Sequence, residues 1–370
     1  MDLTWPQVLA WRLGRQFVTS PGPGAVAVAE RLCGVQAQVA SSAELAISLR
    51  LGRPAGPEIE RALWTDQTLI KTWSIRGTLH LLPTASWPVY RAVLGTLRYW
   101  DKPSWHRGSG VSAAELDAII GAVPQALAGG PLTREELVDA VIAVTGDEHL
   151  REKLASGWGQ LFKPLSFLGE LCHGAPRGGK VTFTAPPRVG ETSPEEGGVE
   201  LLRAFLGAHG PASMAAFDGW LFRGLTRRAV LRRWFADLAP ATVTVEGEDL
   251  FALPEHLDDL KATRPSEETF LLAGFDQYVM GAPRDLEPLL PAAAKAAVSR
   301  TAGWISPVVV HRGRVVGTWD ARDGVLTATM LEEAPGVEKA AEKVVAVWGR
   351  PFDVVVSRPG AAGNGAGRPA

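Results

Sequence analysis

Two glutamines separated by one residue are the most unusual polar feature of this 370-residue chain. Gln36 and Gln38 flank Ala37 in a short segment between two stretches that look helical. In an extended segment, residues i and i+2 project from the same face, so both amides would converge while Ala37 points inward. Two convergent carbonyl oxygens can orient a water molecule. Spacing alone favours the simpler interpretation, in which two polar residues are solvated in a connection.

The glutamine pair lies in the most basic part of a chain whose net charge is only −2. Residues 1–110 contain 12 Lys and Arg against 7 Asp and Glu, whereas residues 111–196 contain 7 against 12. A partner that carries phosphates must therefore be bound by local patches, and the N-terminal part is their richest source. Such imbalances are also common on enzymes that never contact DNA.

Composition restricts the class of protein. With 46% hydrophobic and 21% charged residues, the chain is expected to fold around a core, and its length predicts two to four folding units. It has no apolar run of about 20 residues and no signal-peptide pattern, which predicts a cytoplasmic protein that does not enter a membrane. Only Cys33 and Cys172 occur, and neither has a partner at metal-ligand spacing. We expect no metal and no cofactor.

The elements around the glutamines predict helices followed by a hairpin. Helices are predicted over 6–16, 25–33 and 57–64. Ser41 and Glu44 have the spacing of a capping box, which predicts that a further helix opens at Ser41. Within 69–83, apolar and polar residues alternate with the period of a strand, and Arg76-Gly77 is the candidate turn.

Two further stretches repeat this order. In the second, Thr133 and Glu136 form a capping box ahead of a helix over 134–144, and Pro164 should end or kink a helix over 150–161. Strands are predicted at 171–173 and 180–184. The third stretch begins at Val199 after a linker over 186–198. It contains helices over 199–209 and 226–238 and a hairpin over 241–245 and 250–253, and later strands are predicted at 308–311, 314–319 and 325–330.

Helix-turn-helix followed by a β-hairpin, three times over, is the winged-helix plan. The sequence therefore predicts an α+β protein with three tandem winged-helix units and a C-terminal β-rich part. The boundaries are 1–110, 111–190 and 198–262 for the three units, 266–357 for the β-rich part, and 358–370 for a disordered tail rich in Gly, Ala and Pro.

Four ordered segments resemble the AlkZ/YcaQ family of winged-helix DNA glycosylases. Gln36, Ala37 and Gln38 match its Gln-(apolar)-Gln motif. The segment from Lys71 to His80 resembles its R-T-W-x-x-R-G-T-L-H strand, with Lys in place of the first Arg. The other two matches are 275–278, which resembles F-D-E-Y, and 312–319, which resembles the G-x-V-V-G-T-W hairpin.

The resemblance implies a concave DNA channel in which Gln36 and Gln38 face the target nucleotide. It also implies a monofunctional glycosylase that hydrolyses the N-glycosidic bond of N7-alkylated purines, bulky or crosslinked ones included, in DNA repair or in self-resistance to a genotoxic natural product. The expected partner is double-stranded DNA that carries such a purine, and the protein is expected to be a monomer. The alternative is a non-catalytic winged-helix DNA-binding regulator, which has no evident need for the glutamine pair.

Basic residues near the predicted hairpins are the candidates for phosphate contacts. Two lie beside the first hairpin, two at the ends of the second, and two around a tight turn at Gly313: Lys71, Arg76, Arg177, Lys180, Arg312 and Arg314. Five arginines over 223–233 resemble a DNA-reading helix, but at 100° per residue they spread around it, and several should be merely solvated.

Three other polar residues have structural interpretations. Asp276 is expected to be a buried hydrogen-bonding residue that holds the C-terminal part to the channel, in preference to a catalytic carboxylate. His80, on an alternating strand, is expected to be a satisfied interfacial histidine. Ser41 is better explained as a helix cap than as a nucleophile, because no base lies at a fixed spacing from it.

Overall fold

A computed structural model describes residues 1–155 and 159–357 of the chain. Within them, helices alternate with strands that form three three-stranded sheets and one five-stranded sheet. The prediction of an α+β protein is confirmed. The tail predicted at 358–370 lies outside the described residues, as does part of the helix predicted over 150–161. No helix in the described part of the chain is long and apolar enough to cross a bilayer.

The glutamine motif belongs to a segment in which a short strand is followed by two helices and a hairpin. After β1 (Asp2–Leu3) and α1 (Trp5–Arg15) come α2 (Ala25–Arg31), β2 (Val35–Gln36), α3 (Ala40–Leu51), α4 (Gly56–Trp64), β3 (Leu69–Trp73) and β4 (Leu79–Pro83). β4 is the central strand, because it pairs antiparallel with both β2 and β3. The predicted turn between β3 and β4 contains Arg76, whose φ is 56°.

The same order of elements recurs twice. Beyond α5 (Trp87–Gly95) and α6 (Pro103–Ser109), the second copy consists of α7 (Ala113–Leu127), β5 (Leu132–Thr133), α8 (Arg134–Thr145), α9 (His149–Ala155), α10 (Phe162–Leu168), β6 (Cys172–Arg177) and β7 (Lys180–Thr184). The third consists of α11 (Pro194–His209), α12 (Met214–Phe222), α13 (Arg228–Leu238), β8 (Ala241–Val245) and β9 (Glu248–Ala252), with α14 (Leu257–Ala262) after it. A bridge from Ala212 to Phe251 replaces the short strand in the third copy. The first two copies thus place the second hairpin strand, β4 or β7, in the middle of the sheet, whereas in the third sheet β8 is in the middle because β1 pairs parallel with it.

The C-terminal part adds a larger sheet to these three copies. Its elements are β10 (Thr269–Leu272), α15 (Gln277–Met280), α16 (Ala292–Val298), β11 (Val308–His311), β12 (Arg314–Arg322), β13 (Val325–Met330), α17 (Val337–Trp348) and β14 (Asp353–Ser357). The five strands lie in chain order, antiparallel except for the parallel pair of β13 and β14. The three strands predicted here are confirmed, although β12 continues to Arg322.

Helix starts show where local sequence signals suffice and where they fail. The capping box of Thr133 and Glu136 is present at the start of α8. The box predicted at Ser41 is wrong, because α3 begins at Ala40 with Val39 as its N-cap and no side-chain cap. Pairing with β4 keeps the chain extended only as far as Ala37, whose N–H donates to the Leu79 carbonyl at 2.7 Å. The helix therefore starts two residues earlier than the motif requires.

Other boundaries also differ from the prediction. The linker ends at Ser193, because Ser193 and Glu196 form a capping box that starts α11 five residues before Val199. Pro164 neither ends nor kinks a helix, since it lies in the first turn of α10, where proline is tolerated. β6 extends to Arg177, so the turn predicted over 174–179 shrinks to its last two glycines.

The first copy and the C-terminal sheet are held together by a shared core and one buried ion pair. Side chains of α2 and α3 pack in one apolar cluster with the C-terminal sheet and α17. Beside this cluster, both guanidinium NH groups of Arg50 donate to Asp276, each at 2.8 Å, with both side chains almost fully buried. The segment after Asp276 is thereby fixed against the first copy.

Candidate active site and DNA-binding surface

Gln36 is buried on the edge strand of the first sheet, and its carbonyl oxygen has no hydrogen-bond partner. Ala37 is buried in the apolar core, as expected. Gln38 is exposed, and its carbonyl oxygen lies 3.5 Å from the Leu79 N–H, which donates to it. A buried carbonyl oxygen without a partner is costly unless a ligand or water satisfies it. Gln36 is thus the glutamine whose carbonyl oxygen is buried without a partner, whereas exposed Gln38 can also bond to solvent or to a ligand.

A row of polar side chains crosses the sheet next to Gln36. His80 of β4 is the direct cross-strand neighbour of Gln36, and Thr72 of β3 is the neighbour of His80. His80 Nδ1 donates to the Thr78 carbonyl at 3.0 Å, which leaves Nε2 as an acceptor, and Nε2 has no partner. Burial lowers the pKa of His80 to about 3. The ring is therefore neutral at physiological pH, and only one of its nitrogens is satisfied.

Gln36 lines a cavity of about 760 Å³ between the first copy, the third copy and the C-terminal part. The first copy contributes Gln36 and Arg76, α12 contributes Trp220, and the segment after α15 contributes Met280 and Arg284. Small-molecule sites are of this size, roughly 300–1,000 Å³. The cavity is therefore of ligand-binding size, and its lining includes the unsatisfied amide of Gln36.

Four cationic side chains without carboxylate partners lie at or beside this cavity. Three arginines line it, together with Glu248 and Asp285, and Lys163 lies outside the lining, near Gly77 and Arg223. We call Arg76, Arg223, Arg284 and Lys163 the cation cluster; among the described residues, none has a carboxylate oxygen within 4.0 Å. Burial and the nearby charges of Arg284 and Arg223 lower the pKa of Arg76 to about 9. Burial also lowers the pKa of Arg284, and burial together with Arg223 lowers that of Lys163.

Two atoms of the cluster have unmet hydrogen-bonding capacity. Nη1 of Arg76 donates to the Met280 carbonyl at 2.9 Å, whereas Nη2 of Arg76 and Nη1 of Arg284 are buried without a partner. Mutually repelling cations with free donors are stabilised by an anion, and a phosphate group offers both the charge and several acceptor oxygens. The cavity thus has the volume of a small-molecule site and unmet hydrogen-bond donors on two of its arginines.

Comparisons with known proteins give the family. A family model described as "DNA glycosylase AlkZ-like" matches residues 29–350. The chain belongs to the AlkZ-like DNA glycosylase family. It is 43% identical to the interstrand DNA cross-link repair glycosylase of Streptomyces sahachiroi, over 94% of this chain and 96% of that protein. The solved structure of Streptomyces sahachiroi DNA glycosylase AlkZ superposes with a TM-score of 0.92 at 42% identity, over 96% of this chain and 100% of that one. The members are hydrolases of N-glycosidic bonds.

Of the six residues expected to contact phosphates, the structure of this AlkZ-like glycosylase brings only Arg76 to the Gln36 cavity. In the second copy, Arg177 forms an ion pair with Glu136, and Lys180 lies 3.6 Å from Glu135. Both carboxylates belong to the first turn of α8. These two cations are exposed and would have to leave their partners to bind DNA.

The remaining candidates lie on other surfaces of the AlkZ-like fold. Arg312 pairs with Glu267 at 2.5 Å, and Arg314 with Glu332 at 3.1 Å. The turn between them packs against α1, and the Tyr278 hydroxyl donates to the Gly313 carbonyl at 2.7 Å. The tip of this hairpin is therefore anchored to the protein body. Lys71 is half-buried in a separate cavity of about 230 Å³, and burial lowers its pKa.

Asp276 is a buried hydrogen-bonding residue, as expected from the sequence. Besides the two bonds from Arg50, its carboxylate accepts the N–H of Tyr278 at 2.9 Å and caps α15. It is 1% exposed and is not among the residues that line the Gln36 cavity. A carboxylate engaged in this way cannot reach a substrate without breaking the joint between the first copy and the C-terminal part.

Sequence patterns missed Arg284 and Lys163 as members of the site. Neither lies in a motif, and they come from the segment after α15 and from α10. Arg223 was considered only as part of an arginine-rich helix. That interpretation is wrong, because α12 ends at Phe222 with Arg223 in the left-handed conformation (φ 58°), and α13 begins at Arg228. No local signal could have joined these three residues.

Proposed function

We propose that this AlkZ-like glycosylase excises N7-alkylated purines, including bulky and crosslinked ones, from double-stranded DNA, as the sequence resemblance implies. The observation that carries the proposal is the unpartnered, buried carbonyl oxygen of Gln36 in a cavity whose lining includes three arginines without carboxylate partners as well as Glu248 and Asp285. These arginines offer binding groups for the phosphates on either side of the target nucleotide. The amide oxygen offers an acceptor for a water molecule near the bond to be broken.

The proposed chemistry needs no ionisable base. Alkylation at N7 makes the purine cationic, so it leaves as a neutral base with the electron pair of the glycosidic bond. Positive charge then develops on the sugar, and water adds to C1′ and loses a proton to solvent. A glutamine amide cannot take that proton at neutral pH, and neutral His80 cannot act as a general acid. Gln36 and Gln38 contribute by orienting the water and by placing carbonyl dipoles near the developing charge.

The three repeated copies are proposed to be winged-helix units, which end near residues 110, 190 and 262. In each, helices are followed by an antiparallel hairpin that belongs to a three-stranded sheet, which supports this interpretation. We propose a concave channel between the units that places duplex DNA over the Gln36 cavity. Arg76 and the rest of the cation cluster would hold phosphates beside the target. Lys71, Arg177, Lys180, Arg312 and Arg314 would contribute less, because each is partly buried or paired with a carboxylate.

A relative described as an interstrand DNA cross-link repair glycosylase supports crosslinked purines as substrates of this protein. The cavity is compatible with an enlarged base, because its volume of about 760 Å³ lies in the upper part of the range for ligand sites. The biological role that follows is repair of alkylated DNA, and self-resistance where the host makes the alkylating compound.

The proposal is tested by base release. Purified protein is incubated with a duplex that carries one N7-methylguanine, and the free base is quantified by chromatography, with an unmodified duplex as control. We expect release of N7-methylguanine and an equal number of abasic sites, and no release from the control. Tight binding of the duplex with no release above the uncatalysed rate would instead support a winged-helix regulator.

A further inference from the structure

A second groove is lined in part by Val39, three residues after Gln36 in the chain. It has a volume of about 380 Å³, and we call it the Trp304 groove. Its lining includes Val39, Ser42, Arg300, Trp304 and Arg322. Nothing in the chemistry proposed above requires this groove.

The groove and the cavity have no lining residue in common, but two segments of the chain lead from one to the other. Along the glutamine motif, Gln36 lines the cavity and Val39 lines the groove, with exposed Gln38 between them. Along the loop that precedes β11, Gly303 lines the cavity and Trp304 lines the groove. A ring bound in the groove would therefore adjoin a base bound in the cavity.

The lining of the groove suits a planar aromatic ring. The indole of Trp304 is 44% exposed, and its other contact is an edge-on packing against Phe275, with ring centroids 5.0 Å apart. The loop that carries it is closed by the Arg300 N–H, which donates to the Trp304 carbonyl at 2.9 Å. Flat rings stack on exposed indoles, and guanidinium planes such as that of Arg300 stack on flat rings too.

The charges of the groove extend the cationic surface. Arg300 is exposed and has no carboxylate partner within 4.0 Å among the described residues, whereas Arg322 lies 3.8 Å from Asp320. An exposed aromatic beside an unpaired cation is the arrangement by which proteins hold single nucleotides. The same arrangement holds any aromatic ring attached to a DNA base.

We propose that the Trp304 groove is a subsite for a planar aromatic ring next to the target base. The proposal rests on the proposed function. The ring has two possible sources, which are the substituent of a bulky N7 adduct and the base of the neighbouring nucleotide. In either case, Trp304 contributes binding to the substrate and takes no part in bond cleavage.

The test compares Trp304→Ala with Trp304→Phe, which keeps a ring. The control is Leu331→Ala, because Leu331 is an apolar residue that is 37% exposed and lines neither the cavity nor the groove. The substrates are duplexes that carry N7-methylguanine or N7-(naphthylmethyl)guanine. Single-turnover excision is measured over a series of enzyme concentrations, and the dissociation constant is measured on the same duplexes by fluorescence anisotropy.

We expect Trp304→Ala to raise the half-saturating enzyme concentration by about 5- to 150-fold, the effect of losing one aromatic stack, with little change in the maximal rate. Trp304→Phe should recover part of the loss, and Leu331→Ala should behave as wild type. A loss confined to the naphthylmethyl substrate identifies the adduct substituent as the ring, and an equal loss on both identifies the neighbouring base.

An unchanged half-saturating concentration and an unchanged dissociation constant for Trp304→Ala on both substrates would overturn the proposal. If the wild-type protein excises neither adduct, the proposed function fails, and the dissociation constants alone decide whether the groove holds a ring.

Discussion

Breaking the buried ion pair of Arg50 and Asp276 should destabilise the protein without touching its chemistry. In Asp276→Asn the side chain can still cap α15, but the guanidinium of Arg50 is left buried beside a neutral amide. Removing one partner of a buried ion pair costs about 3–5 kcal/mol, against a total stability of about 5–15 kcal/mol for a typical domain. We therefore expect the loss of about a fifth or more of the free energy of unfolding, measured by urea denaturation.

The matched control is Asp66→Asn, which breaks the surface pair of Asp66 and Arg61 at 37% and 75% side-chain exposure. Its expected cost is below about 1 kcal/mol, because water screens an exposed pair. The double variant Arg50→Met/Asp276→Asn should cost less than the sum of its single changes, because no charge remains buried. Excision per folded molecule should stay within about threefold of wild type, the effect of small shifts in positioning. A fully stable Asp276→Asn that loses excision 100-fold would refute this interpretation and make Asp276 part of the chemistry.

Three further perturbations have expected outcomes. Burial lowers the pKa of His80, His173 and His209 to about 3, below the value of 6.5 for an unfolded chain. The unfolded chain binds protons to these histidines below pH 6.5, whereas the folded protein does not. The free energy of unfolding should therefore be unaffected by them above pH 6.5 and should fall by about 1.4 kcal/mol per pH unit for each histidine between pH 6.5 and 3. A melting temperature that is constant from pH 7 to 5 would contradict this. Arg284→Ala should flatten the slope of log K for DNA against log salt by about one unit, and an unchanged slope would exclude a phosphate contact. Arg312→Ala should change excision by less than about threefold, because Arg312 already pairs with a carboxylate at the surface; a tenfold loss would show that the hairpin leaves its anchor to bind DNA.

Local sequence signals predicted most of the helices and strands. Thr133 with Glu136, and the alternation around Leu79, act within a few residues, and the structure contains the helix and strand that they predict. Ser41 with Glu44 has an equally good local pattern, but pairing of the preceding residues with β4 decides where the helix starts. Competition from a distant strand is not visible in a four-residue motif.

The candidate site could be predicted only in part. The glutamine motif was recognised because its residues are adjacent in sequence. The cation cluster was not, because Arg76, Lys163, Arg223 and Arg284 are separated by about 60 to 90 residues each and meet only when the three copies and the C-terminal part pack together. Sequence spacing also gave no reason to distinguish the two glutamines. Burial distinguishes them, because Gln36 is buried, with 5% of its surface exposed, whereas Gln38 is exposed to solvent.

Single-turnover release of N7-methylguanine by Gln36→Ala and Gln38→Ala, alongside wild-type protein, tests the central claim most directly. We expect each change to lower the rate of base release while the dissociation constant for DNA stays nearly unchanged. The loss should be about 10- to 1,000-fold, the range for one well-placed hydrogen-bonding group, and larger for Gln36, whose carbonyl oxygen has no other partner. The double variant should lose less of the rate than the product of the two single fold-losses, because both groups act on one water molecule. If both variants fold, bind DNA and release the base at the wild-type rate, this motif does not catalyse excision.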